Sequence, residues 1–311
     1  MSDWTEISIT PRGRFSLAAA RDFAGGFPAG IGAASTRDGL LAQFPVEGWE
    51  NSVAVDIWQM DDGPVHGEIH GNGDPETVER QVARSLSIDH DGSGWEEVGR
   101  RDPIIGTLQA RYGWLRPVCF YSAYEAATSF VIGQRISMRG ARHVKDRLAA
   151  EVGDSIEIGD QVVRPFPRPQ RLLEVTDVRG LSAIKIGRLH DLARAALDGR
   201  LDTERLRALP ESAALAELEA LPGVGPWTAQ AILTRGCGLA DSLPRHDEIS
   251  RTAVAAAYGL AEPPDDETWT RIADAWRPYR MWATVLLHMA WRRNQPATPS
   301  YRQSRGPAKR G

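Results

Sequence analysis

The chain has 311 residues, of which 42% are hydrophobic and 25% are charged, with a formal net charge of −4 and a sequence pI near 6.0. These values are typical of a globular protein that is long enough for two domains, each with its own core. The longest apolar run, residues 253–261, is about half of the ~20 residues that a membrane-spanning helix needs, so we expect no contact with a membrane.

The two cysteines, Cys119 and Cys237, are too few for a disulfide framework or for a four-thiolate iron–sulfur site. The first residues mix acidic and basic side chains, and they contain no apolar segment of the kind found in secretory signals. Both observations predict a protein of the reducing cytoplasm.

The charge is unevenly distributed along the chain. Residues 1–110 carry 18 acidic and 8 basic side chains, a net of −10, whereas residues 111–311 carry 23 and 29, a net of +6. Bases are concentrated at residues 135–147, and six more with no acid follow Trp291. An acidic pI alone argues against a nucleic-acid partner. The difference in net charge between the two halves is compatible with a polyanionic partner, although most basic stretches are only solvated faces.

The first part of the chain has the pattern of short strands with glycine-rich turns. Alternating apolar residues predict strands at 52–58 and 65–70, and Asp62-Gly63 between them predicts a hairpin turn. Asp74 followed by Pro75 predicts the start of a helix that runs to about Leu86. We therefore predict an α+β domain over residues 1–115, an antiparallel sheet with helices.

From about Pro117 the spacing of apolar residues becomes helical. It predicts helices at 121–133, 139–152, 170–175, 178–183, 185–198, 203–209, 212–221, 227–236, 247–259, 268–276 and 281–292. Residues 116–293 are therefore predicted to form an all-α domain. After Arg293 the chain is polar and basic without apolar spacing, which predicts a disordered basic tail over residues 294–311.

The most informative segment of this helical part is residues 218–229, Leu-Glu-Ala-Leu-Pro-Gly-Val-Gly-Pro-Trp-Thr-Ala. It predicts two short helices joined by a tight hairpin, in which Gly223 and Gly225 allow φ > 0 and the close approach of another backbone. Val224 lies between the glycines as an apolar contact between the two helices. The N-terminal N–H groups of the second helix suit a phosphate oxygen. The alternative is a tight connector without a ligand.

The hairpin resembles the helix-hairpin-helix element of DNA-repair glycosylases. It is followed by a helix that ends at Arg235-Gly236, a loop with Pro244 and then Asp247 at the head of the next helix. This order is similar to the helix-hairpin-helix-Gly/Pro-Asp superfamily. Segments 132–137, 166–172, 276–280 and 286–288 extend the likeness to the 3-methyladenine DNA glycosylase II family. The resemblance covers about residues 116–293, and it covers the N-terminal domain loosely.

The resemblance implies that Asp247 is the catalytic residue. Removal of a damaged base breaks an N-glycosidic bond through a transition state with oxocarbenium character at the sugar. A carboxylate near C1′ stabilises that charge and orients or deprotonates the attacking water. One carboxylate suffices when the leaving base is already cationic. The alternative is that Asp247 only caps the next helix, and the two roles are compatible.

The resemblance also implies a pocket for the extruded base. It places Trp227 in that pocket, where an electron-rich ring stacks on a cationic purine. Two pocket positions that are aromatic in the compared enzyme are Ala231 and Ala290 here. These alanines predict a wider cavity or a different lesion range.

Two contacts with DNA follow from the same resemblance. The loop at Gln134 and Arg135 carries the side chain that fills the gap left by the extruded base. The compared enzyme has leucine at position 135, and the alternative is that Arg135 is an ordinary surface residue. In the hairpin, the implied DNA-binding residues are Gly223, Gly225 and Thr228.

The implied chemistry requires no cofactor. In the superfamily the hairpin often holds a monovalent cation, Na⁺ or K⁺, through main-chain carbonyls, which here are those of Glu219, Leu221 and Val224. Related enzymes that also cut the strand have a lysine two residues after the second glycine of the hairpin, where this chain has Trp227. The resemblance therefore implies a glycosylase without lyase activity.

We expect a monomeric enzyme, in the cytoplasm and associated with the nucleoid, that excises alkylated purines of the 3-methyladenine and 7-methylguanine type from duplex DNA. One alternative is a glycosylase for oxidised or deaminated bases, although a neutral leaving group needs more acid assistance and the sequence offers no clear second acid. The other alternative is a lesion-binding protein that has kept the hairpin and lost catalysis.

Overall fold

The computed structural model of the chain describes residues 5–24 and 39–295. The first part contains a four-stranded antiparallel sheet in the order β1-β4-β3-β2. Its strands are β1 Thr5–Ile9, β2 Leu40–Pro45, β3 Ser52–Gln59 and β4 Val65–His70. The predicted hairpin is confirmed, since Gln59 pairs with Val65 and the Gly63 N–H donates to the Met60 carbonyl across the turn. The predicted basic tail lies outside the described residues except at 294 and 295.

Four helices accompany this sheet: α1 Leu17–Ala24, α2 Pro75–Ser85, α3 Trp95–Arg101 and α4 Pro103–Arg111. The predicted helix after Asp74 is confirmed as α2. The Asp74 carboxylate accepts the Thr77 N–H at 2.9 Å, and such an N-cap contributes about 1 kcal/mol to helix stability. Val78 and Val82 bury the inner face of α2 against the sheet. The α+β class of this part is therefore confirmed.

Helices α3 and α4 pack away from the sheet, against the C-terminal end of the chain. Trp95 and Ile105 share a core with Trp276 and Trp282, which are all buried. Asp102, the N-cap of α4, also accepts the Trp276 indole N–H at 2.8 Å. One core thus crosses the predicted domain boundary at residue 115, and that boundary stays a prediction.

The second part is largely helical. Its helices are α5 Ala123–Gly133, α6 Met138–Val152, α7 Pro169–Leu172, α8 Ala183–Leu197, α9 Thr203–Ala208, α10 Glu211–Glu219, α11 Pro226–Ala231, α12 Glu248–Tyr258, α13 Asp266–Ala273 and α14 Arg280–Asn294. A π-helical turn, Ile232–Gly236, continues α11. Helix α5 is buried on nearly every side and forms the centre of this part. The helix predicted at 178–183 is wrong, because these residues form a turn around Gly180, whose φ is 103°.

The expectation that the second part is all-α is also wrong in one place. Strands β5 Ile156–Ile158 and β6 Gln161–Val163 form an antiparallel hairpin. Its apolar side chains pack against Leu41 and Ala54 of the first sheet. Three-residue strands carry little periodicity, and these two are stabilised by that long-range contact, which the local sequence does not reveal. Over residues 5–24 and 39–295, no helix is long and apolar enough to cross a membrane.

Candidate active site

The predicted hairpin joins α10 to α11, and its two glycines differ. Gly223 has φ of 84°, and a Cβ added there would lie 2.6 Å from Cδ of Arg188. Gly225 is the N-cap of α11 with φ of −100°, and a Cβ added there would meet nothing within 4 Å. The expectation of φ > 0 is therefore correct for Gly223 and wrong for Gly225, whose extended backbone any residue can adopt.

The loop between the π-helical turn and α12 is fixed from two sides. The buried Gln230 side chain donates to the Leu243 carbonyl at 2.7 Å and accepts the His246 N–H at 3.3 Å. From α12, the Arg251 guanidinium donates to the Arg245 carbonyl at 2.7 Å. Because a buried polar side chain with both ends bonded is costly to displace, the position of the residue after His246 is well determined.

That residue is Asp247, the N-cap of α12. Its carboxylate accepts the Ile249 N–H at 3.3 Å through Oδ1 and the Ser250 hydroxyl through Oδ2. The Nδ1 atom of His288, on α14, lies 3.8 Å from Oδ2, and the Asp247 side chain is 19% exposed. Asp247 therefore caps α12 and also presents a partly exposed carboxylate, so the two roles considered for it coexist.

The imidazole beside Asp247 is held neutral. Burial and the positive charges of Arg292 and Arg235 lower the pKa of His288 to about 4, and the nearby Asp247 opposes the shift. A neutral ring adds no positive charge beside the Asp247 carboxylate at neutral pH. Sequence reasoning assigned His288 no role, because only the fold brings α14 beside the head of α12.

We expect His288 to make the stability of the protein depend on pH. Its pKa in the folded protein is about 4, against an ordinary value of 6.5. In the unfolded chain His288 is protonated near pH 6.5, whereas in the folded protein it is protonated only near pH 4. The free energy of unfolding therefore falls as the pH is lowered from about 6.5 to about 4. In the variant His288→Gln this contribution is lost, and Tm should fall less between about pH 7 and pH 5 than in the wild type. Equal decreases in Tm would contradict this assignment.

A cavity of about 520 Å³ opens beside Asp247. Its walls come from α5, α6, α11 and α14, with Phe23 of α1 at one side. The Trp227 side chain is 45% exposed and meets Phe130 edge to face, with 5.4 Å between ring centroids. The cavity walls also contain Ala231, so the structure brings Trp227, Ala231 and Asp247 to one cavity.

Ala290 is not part of this cavity wall. On α14 the residues that line the cavity follow helical spacing: Met281, Thr284, Val285, His288, Met289 and Arg292. Ala290 is two positions after His288 and lies on the opposite face of the helix, where it is buried. The structure therefore does not bring this predicted pocket residue to the site.

Two basic side chains that the sequence analysis did not assign to the site line the same cavity. Lys145 of α6 is paired with Glu125 of α5, with 3.3 Å between Nζ and Oε1. Arg235 lies in the wall beside Asp247, and burial lowers its pKa while the charge of Asp247 opposes that shift. Lys145 lies 78 positions before Gly223 in the chain, so only the packing of α6 places it here.

The loop predicted to displace a base is a sharp turn at the end of α5. We call residues 133–136 the wedge turn. Arg135 is exposed and has φ of 58°, which is rare for a side chain other than glycine. The half-buried Gln134 points to the hairpin, and its Nε2 donates to the Gly223 carbonyl at 2.8 Å. Of the two predicted DNA contacts in this loop, the exposed one is Arg135.

The remaining predicted residues lie in the hairpin. The Thr228 side chain is buried and faces the cavity, so only its main-chain N–H belongs to the hairpin surface. The carbonyls of Glu219, Leu221 and Val224 bracket the turn, and that of Leu221 accepts the Val224 N–H at 3.1 Å. A carbonyl oxygen has a second lone pair, so the hydrogen bond is compatible with a cation. The described residues contain no cluster of His, Cys, Asp and Glu side chains suited to a metal ion.

The chain is similar to several DNA glycosylases in sequence, and to one of known structure in fold. No family model matches the chain. The DNA-3-methyladenine glycosylase of Bacillus subtilis is 24% identical over 222 residues, 70% of this chain and 72% of that protein. The DNA-3-methyladenine glycosylase 2 of Escherichia coli is 29% identical over 185 residues, 58% of this chain and 61% of that protein. The structure of a 3-methyladenine DNA glycosylase from Archaeoglobus fulgidus has the same fold, with a TM-score of 0.74 and 21% identity over 92% of this chain and 98% of that one.

Proposed function

Since the chain resembles the 3-methyladenine DNA glycosylases of the helix-hairpin-helix superfamily in sequence and in fold, we propose that it excises alkylated purines from duplex DNA in base-excision repair. The observation that carries this proposal is the Asp247 carboxylate, which lies in the wall of a cavity that also contains Trp227. The hairpin leads directly into α11, and this helix forms another wall of the same cavity. A phosphate contact and a base pocket are therefore adjacent.

In the proposed reaction the damaged nucleotide leaves the stack and enters the cavity, at a cost of a few kcal/mol. The Asp247 carboxylate then stabilises the positive charge that develops at the sugar as the glycosidic bond breaks. It also orients the water that attacks C1′. The neutral His288 matters here, because a protonated imidazole 3.8 Å from Oδ2 would compensate the charge that the transition state needs.

The walls of the cavity are suited to a flat and electron-poor base. Trp227 and Phe130 offer aromatic faces and edges, and attraction between a cation and an aromatic ring contributes about 0.5–2 kcal/mol. The small Ala231 leaves space beside them. We therefore propose cationic alkylated purines of the 3-methyladenine and 7-methylguanine type as substrates.

The test is to incubate the purified protein separately with methylated, oxidised and deaminated duplex DNA and to identify the released bases by chromatography. Release of 3-methyladenine and 7-methylguanine would support the proposed substrates. Release of oxidised or deaminated bases alone would point instead to the other glycosylase class. Tight binding to damaged duplexes without release would indicate a lesion-binding protein.

We further expect no cleavage of the DNA strand by this protein. Trp227 occupies the hairpin position of the amine nucleophile, and Lys145, which does line the cavity, is engaged by Glu125. Imine formation needs a free amine, so borohydride should trap no covalent adduct with DNA, and the product strand should stay intact until it is treated with alkali. A trapped adduct that disappears in Lys145→Met would overturn this expectation and identify Lys145 as the nucleophile.

The cation at the hairpin is a smaller part of the proposal. The carbonyls of Glu219, Leu221 and Val224 would hold Na⁺ or K⁺ and so fix the turn that faces the phosphate. DNA affinity should then be higher in K⁺ than in tetramethylammonium at equal ionic strength, because the larger ion does not fit between carbonyls. Equal affinities would exclude a role for the cation in binding.

A further inference from the structure

We propose that Lys185 and Gln134 form a strut that fixes the wedge turn relative to the hairpin, so that base extrusion is coupled to the contact with the DNA backbone. The inference rests on the proposed function, since it concerns how the same site opens the duplex. It assigns Lys185 a positioning role inside the protein, although a half-buried lysine beside a DNA-binding hairpin would ordinarily be taken for a phosphate contact.

Lys185 is committed to the end of α5. Its Nζ donates to the carbonyl of Ile132 at 2.8 Å and to that of Gln134 at 2.6 Å. The last carbonyls of a helix have no partner within the helix, and the negative end of the helix dipole favours a positive charge there. Two of the three N–H donors of Lys185 therefore bond to the carbonyls of the two residues that flank Gly133.

Gln134 continues this link to the hairpin. Its Nε2 donates to the Gly223 carbonyl at 2.8 Å, across 89 positions of sequence, and its Oε1 accepts from Arg188 at 3.2 Å. Arg188 also lies against the hairpin, since a Cβ at Gly223 would fall 2.6 Å from its Cδ. Helix α8 thus supports the wedge turn through Lys185 and the hairpin through Arg188. Gln134, within the wedge turn, contacts both of these side chains and the hairpin itself.

The conformation of the wedge turn explains why such support is needed. Arg135 has φ of 58°, and a strained backbone of this kind persists only where its surroundings determine it. The carbonyl that directly precedes Arg135 is one of the two that Lys185 holds. The exposed side chains of Arg135 and Ile136, of which Ile136 lines the cavity mouth, are thereby kept beside the position that an extruded base would leave.

Hydrogen exchange in the free protein tests the strut without DNA. In Lys185→Met, which keeps the aliphatic stem and removes the donors, the segments 132–136 and 221–225 should exchange about tenfold faster, while Tm shows that the protein stays folded. Arg139→Met is the matched control, because Arg139 is an exposed base at the start of α6, and it should change neither segment. Unchanged exchange in Lys185→Met would overturn the proposal.

Binding and flipping measurements separate positioning from direct contact. Removing the charge of a residue that contacts phosphate makes the negative slope of log K against log salt shallower by about 0.9. In Lys185→Met we expect this slope to be unchanged. Base release in single-turnover experiments should be about tenfold slower, and the rise in 2-aminopurine fluorescence that reports base extrusion should be slower by the same factor. If the slope instead becomes shallower by about one unit while base extrusion is normal, Lys185 contacts DNA directly, and the proposal of a strut is wrong.

Gln134→Ala breaks the link at its other end. Exchange should then rise at 221–225, and the double variant with Lys185→Met should be no more impaired in base extrusion than Lys185→Met alone, since both changes interrupt one path. Strictly additive effects would contradict the coupling. If the wild-type protein releases no base from any duplex, the proposed function fails, while the exchange experiment still decides whether the strut exists.

Discussion

Asp247→Asn should slow base release about 10²–10³-fold and leave the fold and DNA affinity nearly unchanged. The substitution removes the negative charge that faces the cavity, and loss of one preorganised electrostatic contact to a transition state costs about 10²–10³-fold in rate. The amide oxygen can still accept the Ile249 N–H, which Oδ1 accepts in the wild type, and Asn is as good an N-cap as Asp. The variant therefore separates catalysis from capping.

The measurement is single-turnover release of methylated bases, with Tm and duplex affinity determined in parallel. Asp265→Asn is the matched control, because Asp265 caps α13 through the Thr268 N–H at 2.8 Å and is not part of the cavity wall. The control should retain wild-type activity. Activity of Asp247→Asn within a few-fold of wild type would show that Asp247 is a cap and nothing more.

Gly223→Ala should destabilise the hairpin and weaken DNA binding about tenfold or more. A side chain at φ of 84° costs about 1–2 kcal/mol, and the new Cβ would displace Arg188, which breaks its contact with Gln134. A hydrogen bond to a charged group contributes about 1.5–3 kcal/mol, so misplacing the hairpin N–H groups reduces affinity by at least that order. Thermal unfolding and duplex titration measure the two effects.

Gly225→Ala is the informative partner of that variant. Its extended backbone and the open space around it accept a methyl group without strain, so stability should stay within about 0.5 kcal/mol of wild type. If the phosphate approaches this position, the methyl group obstructs it and affinity falls with Tm unchanged. Wild-type affinity in Gly225→Ala would show that the DNA backbone does not approach the hairpin at this glycine.

Local signals account for the elements that the sequence predicts correctly. The β3–β4 hairpin follows from alternation and Asp62-Gly63, and α2 follows from Asp74 and Pro75, because in each case the deciding interactions lie within a few residues. The order of hairpin, loop and Asp247 is likewise readable along the chain. These elements bring Asp247 and Trp227 to one cavity, as the sequence implies.

Contacts between distant segments explain what the sequence does not reveal. Strands β5 and β6 exist because they pack on the first sheet, and Lys145 enters the cavity because α6 packs beside α5. The position of Ala290 depends on which face of α14 meets the cavity, and a shift of two residues reverses that face. His288 follows the same rule, since only the fold brings α14 beside Asp247.

The core that joins α3 and α4 to the C-terminal helices has a consequence for the order in which the chain folds. In the N-terminal sheet, β2 pairs with β3 and β3 with β4, and these strands follow one another in sequence, so their contacts need none of the C-terminal helices. The apolar faces of α3 and α4, however, are covered by helices that are synthesised much later, since 174 positions separate Asp102 from Trp276. Contacts of such long range form slowly and leave apolar surface uncovered in the meantime. Trp95 and Ile105 therefore stay uncovered until residues 269–287 have been synthesised, and a fragment that begins near Pro117 would lack the surface that covers Trp276 and Trp282.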